Sequence, residues 1–142
     1  FGLVRPPAVG PEDVTLLTGT KIVGTPAYLA PESATEGEVE QRTDLYSLGC
    51  VGYWLLSGRT VFAGKTPIDV ILKHVNDEPV PLRSLVPLGI PEALDAAILS
   101  CLAKEPHRRP PSAEALDQLL GALTFERPWT RVRARESWRE PR

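Results

Sequence analysis

The stretch from Leu45 to Leu56 constrains the fold of this chain more than any other segment. Leu45, Leu48, Val51, Tyr53, Trp54, Leu55 and Leu56 are spaced so that apolar side chains cover nearly the whole circumference of a helix. A helix apolar on all sides belongs inside a domain, with other elements around it. Thr43 or Asp44 is the candidate N-cap, because a short side-chain oxygen can accept from the first free amides. Ser57-Gly58 marks the end, where glycine readily takes the left-handed capping conformation.

The elements that would surround this helix are legible downstream. Ile68/Ile71/Leu72/Val75, Leu94/Ala97/Ile98/Cys101 and Leu116/Leu119/Leu120/Leu123 each repeat the i, i+3, i+4, i+7 spacing of one apolar helix face. Each has a start signal: Thr66-Pro67, Pro91-Glu92 and Ser112. Fifteen prolines, about twice the usual share, fall mostly between these segments. Pro31-Glu32 fits the first turn of another short helix, since proline is tolerated there and a carboxylate favours the positive end of the helix dipole. Leu3 to Leu29 shows no sustained period and reads as a long, partly extended loop; loops of that length are usually functional. The result is a mainly α bundle around one buried helix, without a convincing sheet.

Composition narrows the function. With 42% hydrophobic residues over 142 and a net charge of −2, the chain has enough apolar content for one globular core. Its longest apolar runs fall far short of the roughly 20 residues a bilayer span needs, and Phe1 to Pro7 lacks the pattern of a signal peptide. Cys50 and Cys101 are too few for a disulfide scaffold or a four-cysteine zinc site. Both lie in apolar helical patterns and read as buried thiols in a reducing, cytoplasmic compartment. His74 and His107 have no Cys or His at metal spacing, so surface or capping roles are expected. Residues 1–123 carry 10 Lys+Arg against 15 Asp+Glu, whereas 124–142 carry 6 Arg against 3 Glu. Arginines interleaved with Glu, even beside Trp129 and Trp138, make a weak nucleic-acid footprint, so the tail reads as a solvated or loosely docked extension. The chain contains no Met and reads as beginning mid-domain.

Five local motifs in one order carry a family resemblance. They are Phe1-Gly2, Gly24-Thr25-Pro26-Ala27-Tyr28-Leu29-Ala30-Pro31-Glu32, Asp44-Leu45-Tyr46-Ser47-Leu48-Gly49, Phe62-Ala63-Gly64, and Lys104-Glu105-Pro106-His107-Arg108-Arg109-Pro110. Together they resemble the C-terminal lobe of a bacterial, Hanks-type serine/threonine protein kinase, from the end of its DFG motif through the APE segment to the last helix. Val61 stands where the family often has Pro. The resemblance implies a partial kinase domain over 1–123, with an activation segment over 1–32, a helical lobe over 33–123, and a basic Arg/Trp tail over 124–142.

It also assigns roles. Thr18 and Thr20, with Thr15 nearby, resemble activation-loop phosphorylation sites, where a phosphate adds about −1.5 to −2 charge and can order a segment against arginine. Thr25 resembles the threonine placed beside the catalytic aspartate and the substrate hydroxyl. Pro26, Ala27 and Leu29 resemble the pocket for the residue after the phosphoacceptor. Glu32 and Arg109 are implied to form a buried ion pair. Asp44 resembles the aspartate that accepts hydrogen bonds from the catalytic-loop backbone, a role compatible with helix capping.

The kinase signature set also includes a Gly-rich phosphate loop, a strand lysine, a helix glutamate, the HRD catalytic loop and the DFG aspartate, and the sequence contains none of these. The N-terminal lobe is absent, no catalytic or metal-binding residue is expected, and ATP and Mg2+, the family's cofactors, are not expected to bind residues 1–142 alone. Removal of those parts should leave an apolar patch near Trp54 facing water and a tendency to self-associate. The leading reading is therefore a truncated serine/threonine kinase acting on protein substrates and inactive by itself. The alternative is a non-catalytic kinase-like binding module that docks substrates or a partner kinase. An in-frame HRD-type loop in the DNA upstream of Phe1 favours the first, and a genuine start codon there favours the second.

Overall fold

The computed structural model describes residues 15–16, 20–21, 25–35, 41–86, 89–125, 131–132 and 135. Phe1-Gly2, Thr18 and Gly24 lie outside them, as does most of the tail over 124–142, including Trp129 and Trp138.

Two short strands, β1 (Thr15–Leu16) and β2 (Thr20–Lys21), pair antiparallel with Thr15 opposite Lys21 and Leu16 opposite Thr20. This ladder falls where the sequence reads as an aperiodic loop. Two residues per strand are too few to register as an alternating pattern.

Five α-helices follow among the described residues: α1 (Pro31–Ala34), α2 (Gln41–Ser57), α3 (Pro67–Asn76), α4 (Glu92–Cys101) and α5 (Ala113–Gly121). Proline opens α1 and α3. Thr66 caps α3 with a full capping box: its hydroxyl accepts from Asp69 N–H, and the Asp69 carboxylate accepts from Thr66 N–H, both at 3.2 Å. Ser112 caps α5 by accepting from Ala115 N–H at 3.2 Å. Gly58, at φ +70°, closes α2 and donates its N–H to the Trp54 carbonyl at 2.8 Å. The start of α2 differs from the expected cap. The helix begins at Gln41, which places Thr43 and Asp44 inside its first turns. Thr43 uses its hydroxyl elsewhere, on Glu32.

The middle of the molecule is the packing of α2 against α4. Two glycines on α2 permit the approach. A Cβ at Gly49 would stand 2.7 Å from the Cys101 Cβ, and one at Gly52 would stand 2.6 Å from the Ile98 Cδ1. Tyr46, Cys50 and Tyr53 of α2 join Ala30, Val61, Phe62, Leu82, Ile98 and Leu102 in the main core. Leu45, Cys101 and Leu116 form a smaller cluster under α5. Both cysteines are buried free thiols, and burial pushes Cys50 up to about 12 and Cys101 up to about 11, which leaves them protonated and inert.

The far face of α2 is open. Leu48, Val51, Trp54 and Leu55 are exposed, Leu55 by 69%, so α2 is central but covered on one side only among the described residues. On α3 the buried residues are Ile71 and His74, while Ile68 and Leu72 of the expected stripe face solvent. On α5 only Leu116 is buried, and Leu119 and Leu120 are exposed.

Candidate functional site

The segment from Thr25 to Glu32 is held in a defined shape by local hydrogen bonds and by its neighbours. Pro26 starts a 3₁₀ turn over Pro26–Tyr28; the N–H of Tyr28 donates to the Thr25 carbonyl at 3.1 Å, and that of Leu29 donates to Pro26 at 3.3 Å. Thr25 is exposed at the mouth of this turn, with Pro26, Ala27 and Leu29 half-buried behind it and Ala30 fully buried. The Ser47 hydroxyl on α2 donates to the Tyr28 carbonyl at 2.9 Å, fastening the turn to the central helix. The turn also packs on α3.

One residue past the buried Pro31, Glu32 meets Arg109 across 77 positions of sequence. Arg109 Nη1 donates to Glu32 Oε1 at 2.6 Å and Nη2 donates to Oε2 at 2.7 Å, the parallel fork that suits a carboxylate. The other three guanidinium N–H groups are also used. Nε donates to the Ala103 carbonyl at 2.8 Å, Nη1 to Arg42 at 3.0 Å and Nη2 to Lys104 at 3.0 Å. All five donors of an arginine are therefore satisfied, and the guanidinium lies over the Tyr46 ring at 4.9 Å. The Arg109 side chain is fully buried and that of Glu32 is 8% exposed. Thr43 donates to Glu32 Oε1 at 2.8 Å. Burial pushes the Glu32 carboxyl up, but the Arg109 bonds, its own backbone N–H, Thr43 and the Arg109 charge outweigh burial and hold it below the usual carboxylate value. The cluster ties α1, α2 and the segments flanking the 3₁₀ turn Pro106–Arg108 into one unit, which fixes the base of the Thr25–Leu29 loop.

Asp44, in contrast, is exposed on α2. Thr15 and Thr20 belong to β1 and β2, while Ser33 and Ser47 sit within α1 and α2.

His74 departs from its expected surface role. It is 1% exposed on α3, and its Nδ1 lies 2.8 Å from the Tyr46 hydroxyl. Its ring makes edge contacts with Tyr46 and Phe62 at centroid distances of 5.7 and 5.0 Å. Lys104 Nζ donates to the His74 carbonyl at 2.8 Å and sits 4.6 Å over the Phe62 ring. Burial, with the nearby Lys104 charge, lowers His74 to about 4, and the Ala27 backbone offsets part of this. The sequence carried one usable signal, a histidine three residues after Ile71 and beside Val75, on the face that turned inward.

The described residues contain no group of three or more His, Cys, Asp or Glu side chains placed to hold a cation. A groove of about 670 Å³ runs along α3 beside Lys65, Asp69 and Lys73. Its Asp69 is committed to the Thr66 cap and its Lys73 to the Ala63 carbonyl. No helix among the described residues is long and apolar enough to cross a membrane.

The protein kinase domain family model matches residues 1–120. This chain is a member of the protein kinase family. Its relatives are bacterial serine/threonine kinases. It is 43% identical over 110 residues to the serine/threonine-protein kinase PknB of Mycobacterium leprae, an alignment covering 77% of this chain and 17% of the relative. It is 39% identical over 116 residues to the probable serine/threonine-protein kinase SCO3848 of Streptomyces coelicolor, covering 82% and 17%. With the probable serine/threonine-protein kinase CA_C1728 of Clostridium acetobutylicum, the identity is 40% over 120 residues, covering 84% and 18%. The chain thus spans about a sixth of the length of these curated relatives, and its helices form a kinase C-terminal lobe, with no N-terminal-lobe sheet among the described residues.

Proposed function

We propose that these residues are the protein-substrate side of a serine/threonine kinase, one that in its intact form moves a phosphoryl group from magnesium-bound ATP to serine or threonine hydroxyls of proteins. The reading rests chiefly on the Glu32–Arg109 fork, which fixes a family-type loop, Thr25 to Leu29, against the helical lobe. In this reading Thr25 orients the acceptor hydroxyl, and Pro26, Ala27 and Leu29 shape the pocket for the next substrate residue. Thr18 or Thr20, with Thr15 as a weaker candidate, takes the activating phosphate. Asp44 receives the catalytic-loop backbone. Phosphoryl transfer depends on positioning and on electrostatic stabilisation of the transferred group, and the groups that supply it lie outside residues 1–142. These residues then bind no nucleotide and transfer no phosphate by themselves.

The test uses the intact protein with ATP, magnesium and a generic basic protein. The expected product carries phosphoserine and phosphothreonine. Thr25→Ala should lower turnover on the order of a hundredfold, as a misplaced acceptor does, and Thr25→Ser should keep most of it. Phosphotyrosine as the main product, or full turnover by Thr25→Ala, would overturn the reading.

A further inference from the structure

His74 has a buried nitrogen that the fold leaves without a properly placed partner. Among the described residues, Nε2 is the buried side-chain nitrogen or oxygen that makes no hydrogen bond, although the Ala27 backbone carbonyl is close enough to act on the ring. Native proteins rarely bury a polar group unpaired, because doing so forfeits the hydration it had in water.

Which nitrogen carries the proton depends on what faces each one. The charge that acts on the ring is the Lys104 ammonium, which lies on the His74 carbonyl and over Phe62. With no carboxylate bonded to it, the imidazole is neutral. A neutral imidazole has one donor and one acceptor nitrogen. Nδ1 and the Tyr46 hydroxyl lie 2.8 Å apart, and their donor and acceptor roles follow the tautomer; a hydroxyl that donates to Nδ1 puts the proton on Nε2. An N–H there can pair with the Ala27 carbonyl, whereas a bare lone pair would be repelled by it. Ala27 is the middle residue of the 3₁₀ turn Pro26–Tyr28, which packs on α3.

We infer that His74 is a positioning residue for the substrate loop: Tyr46 fixes its tautomer, and its Nε2–H completes a hydrogen bond to the Ala27 carbonyl when the loop settles onto α3. This inference rests on the reading of Thr25–Leu29 as the substrate loop. The Ser47 bond to Tyr28 holds one side of the turn, and His74 is the second hold, reaching it from a different helix. Holds from two helices keep the turn seated on α3, ready for substrate.

The first test needs no variant of His74. Nitrogen NMR of the histidine-labelled chain, with His107→Gln to assign the two rings, should show His74 neutral and protonated at Nε2. A ring protonated at Nδ1 would overturn the inference. In His74→Phe, which fills the same space without the nitrogens, the Tyr28 and Leu29 amides should exchange with deuterium roughly fivefold faster, the effect of losing one ordinary hydrogen bond. The amides of α4 and α5 should be unchanged. His74→Gln, whose amide can reach the same carbonyl, should recover part of the protection. Unchanged exchange in His74→Phe, or faster exchange everywhere, would reject a role confined to the loop. If that variant does not fold, Tyr46→Phe should release the tautomer in the NMR readout; a ring still wholly protonated at Nε2 would reject the role given to Tyr46. In the intact protein, His74→Phe should raise the KM for a peptide roughly fivefold, leaving kcat and the KM for ATP nearly unchanged. An active wild type whose variant shows the same peptide KM counts against this inference. An inactive wild type counts against the kinase reading instead, and the NMR and exchange results then decide the role of His74 independently.

Discussion

Replacing Arg109 with alanine should be among the most damaging single changes available in this chain. The substitution removes both arms of the fork to Glu32 and the three bonds to the Ala103, Arg42 and Lys104 carbonyls. Glu32 would stay buried, with the Thr43 hydroxyl as its remaining side-chain partner among the bonds described above. Removing one partner of a buried pair costs about 3–5 kcal/mol, because the surviving charge is left uncompensated. A domain's whole stability is about 5–15 kcal/mol, so Arg109→Ala should bring the chain close to unfolding. Arg108 provides an internal control. It pairs with Glu105 at 2.9 Å, but both side chains are more than half exposed, and such surface pairs are worth about 0–1 kcal/mol. Arg109→Lys should fall between the two, keeping the charge but losing the planar fork. Urea unfolding followed by circular dichroism measures all three. Acid adds an independent check with a definite sign. Glu32 titrates below its ordinary value of 4.5 when folded, so the pair's contribution is complete above that value and is lost as pH falls through the lower, folded pKa. Equal midpoints for Arg109→Ala and Arg108→Ala, or an acid limb identical in wild type and Arg109→Ala, would refute the reasoning.

Phosphopeptide mapping after exposure to an active relative should place phosphate on Thr18 or Thr20 ahead of Ser33 and Ser47, whose helical backbones cannot be gripped in extended form; a main site at Ser47 would contradict this. His74 titrates near 4 in the fold against 6.5 unfolded, so the unfolded chain takes up the proton first as pH falls. Stability should drop by about 2 kcal/mol between neutral pH and about pH 5, a drop missing from His74→Phe in pH-dependent urea melts. Gly49→Ala should destabilise by about 1–3 kcal/mol, because its Cβ meets the rigid Cys101 Cβ. Gly52→Ala should be nearly neutral or stabilising in the same melts, since Ile98 can swing its terminal methyl aside and alanine favours the helix by up to about 1 kcal/mol.

What could be read from the residues alone follows the range of the forces involved. The Thr66-Pro67 start and the Ser112 cap were legible because a helix start is decided within one turn of chain. The Gly58 stop was legible for the same reason. Ala97, Ile98 and Cys101 of the α4 stripe are buried as their spacing implies, but Asp95 is buried with them, because the Leu82 N–H donates to its carboxylate from outside the helix. The α3 stripe was misread by part of a turn. His74 replaces Leu72 in the interior because Tyr46, on another helix, offers its nitrogen a partner that no local pattern reveals. The cap assigned to Thr43 or Asp44 failed because α2 begins earlier, at Gln41. The meeting of Glu32 with Arg109 came from family resemblance and not from spacing, because 77 residues carry no periodic signal. The exposure of Leu48, Val51, Trp54 and Leu55 among the described residues lies where an apolar patch is expected around Trp54.

The most direct measurement of the central claim compares residues 1–142 with the intact protein in one assay, labelling a generic basic protein from ATP and magnesium, alongside thermal melts with and without magnesium-ATP. The account predicts that the intact protein labels serine and threonine and is stabilised by the nucleotide. Residues 1–142, shown to be helical by circular dichroism, should do neither and should associate through the face carrying Leu48, Val51 and Leu55. Turnover or a nucleotide-dependent melting shift from residues 1–142, in a preparation proven free of other kinases, would contradict it.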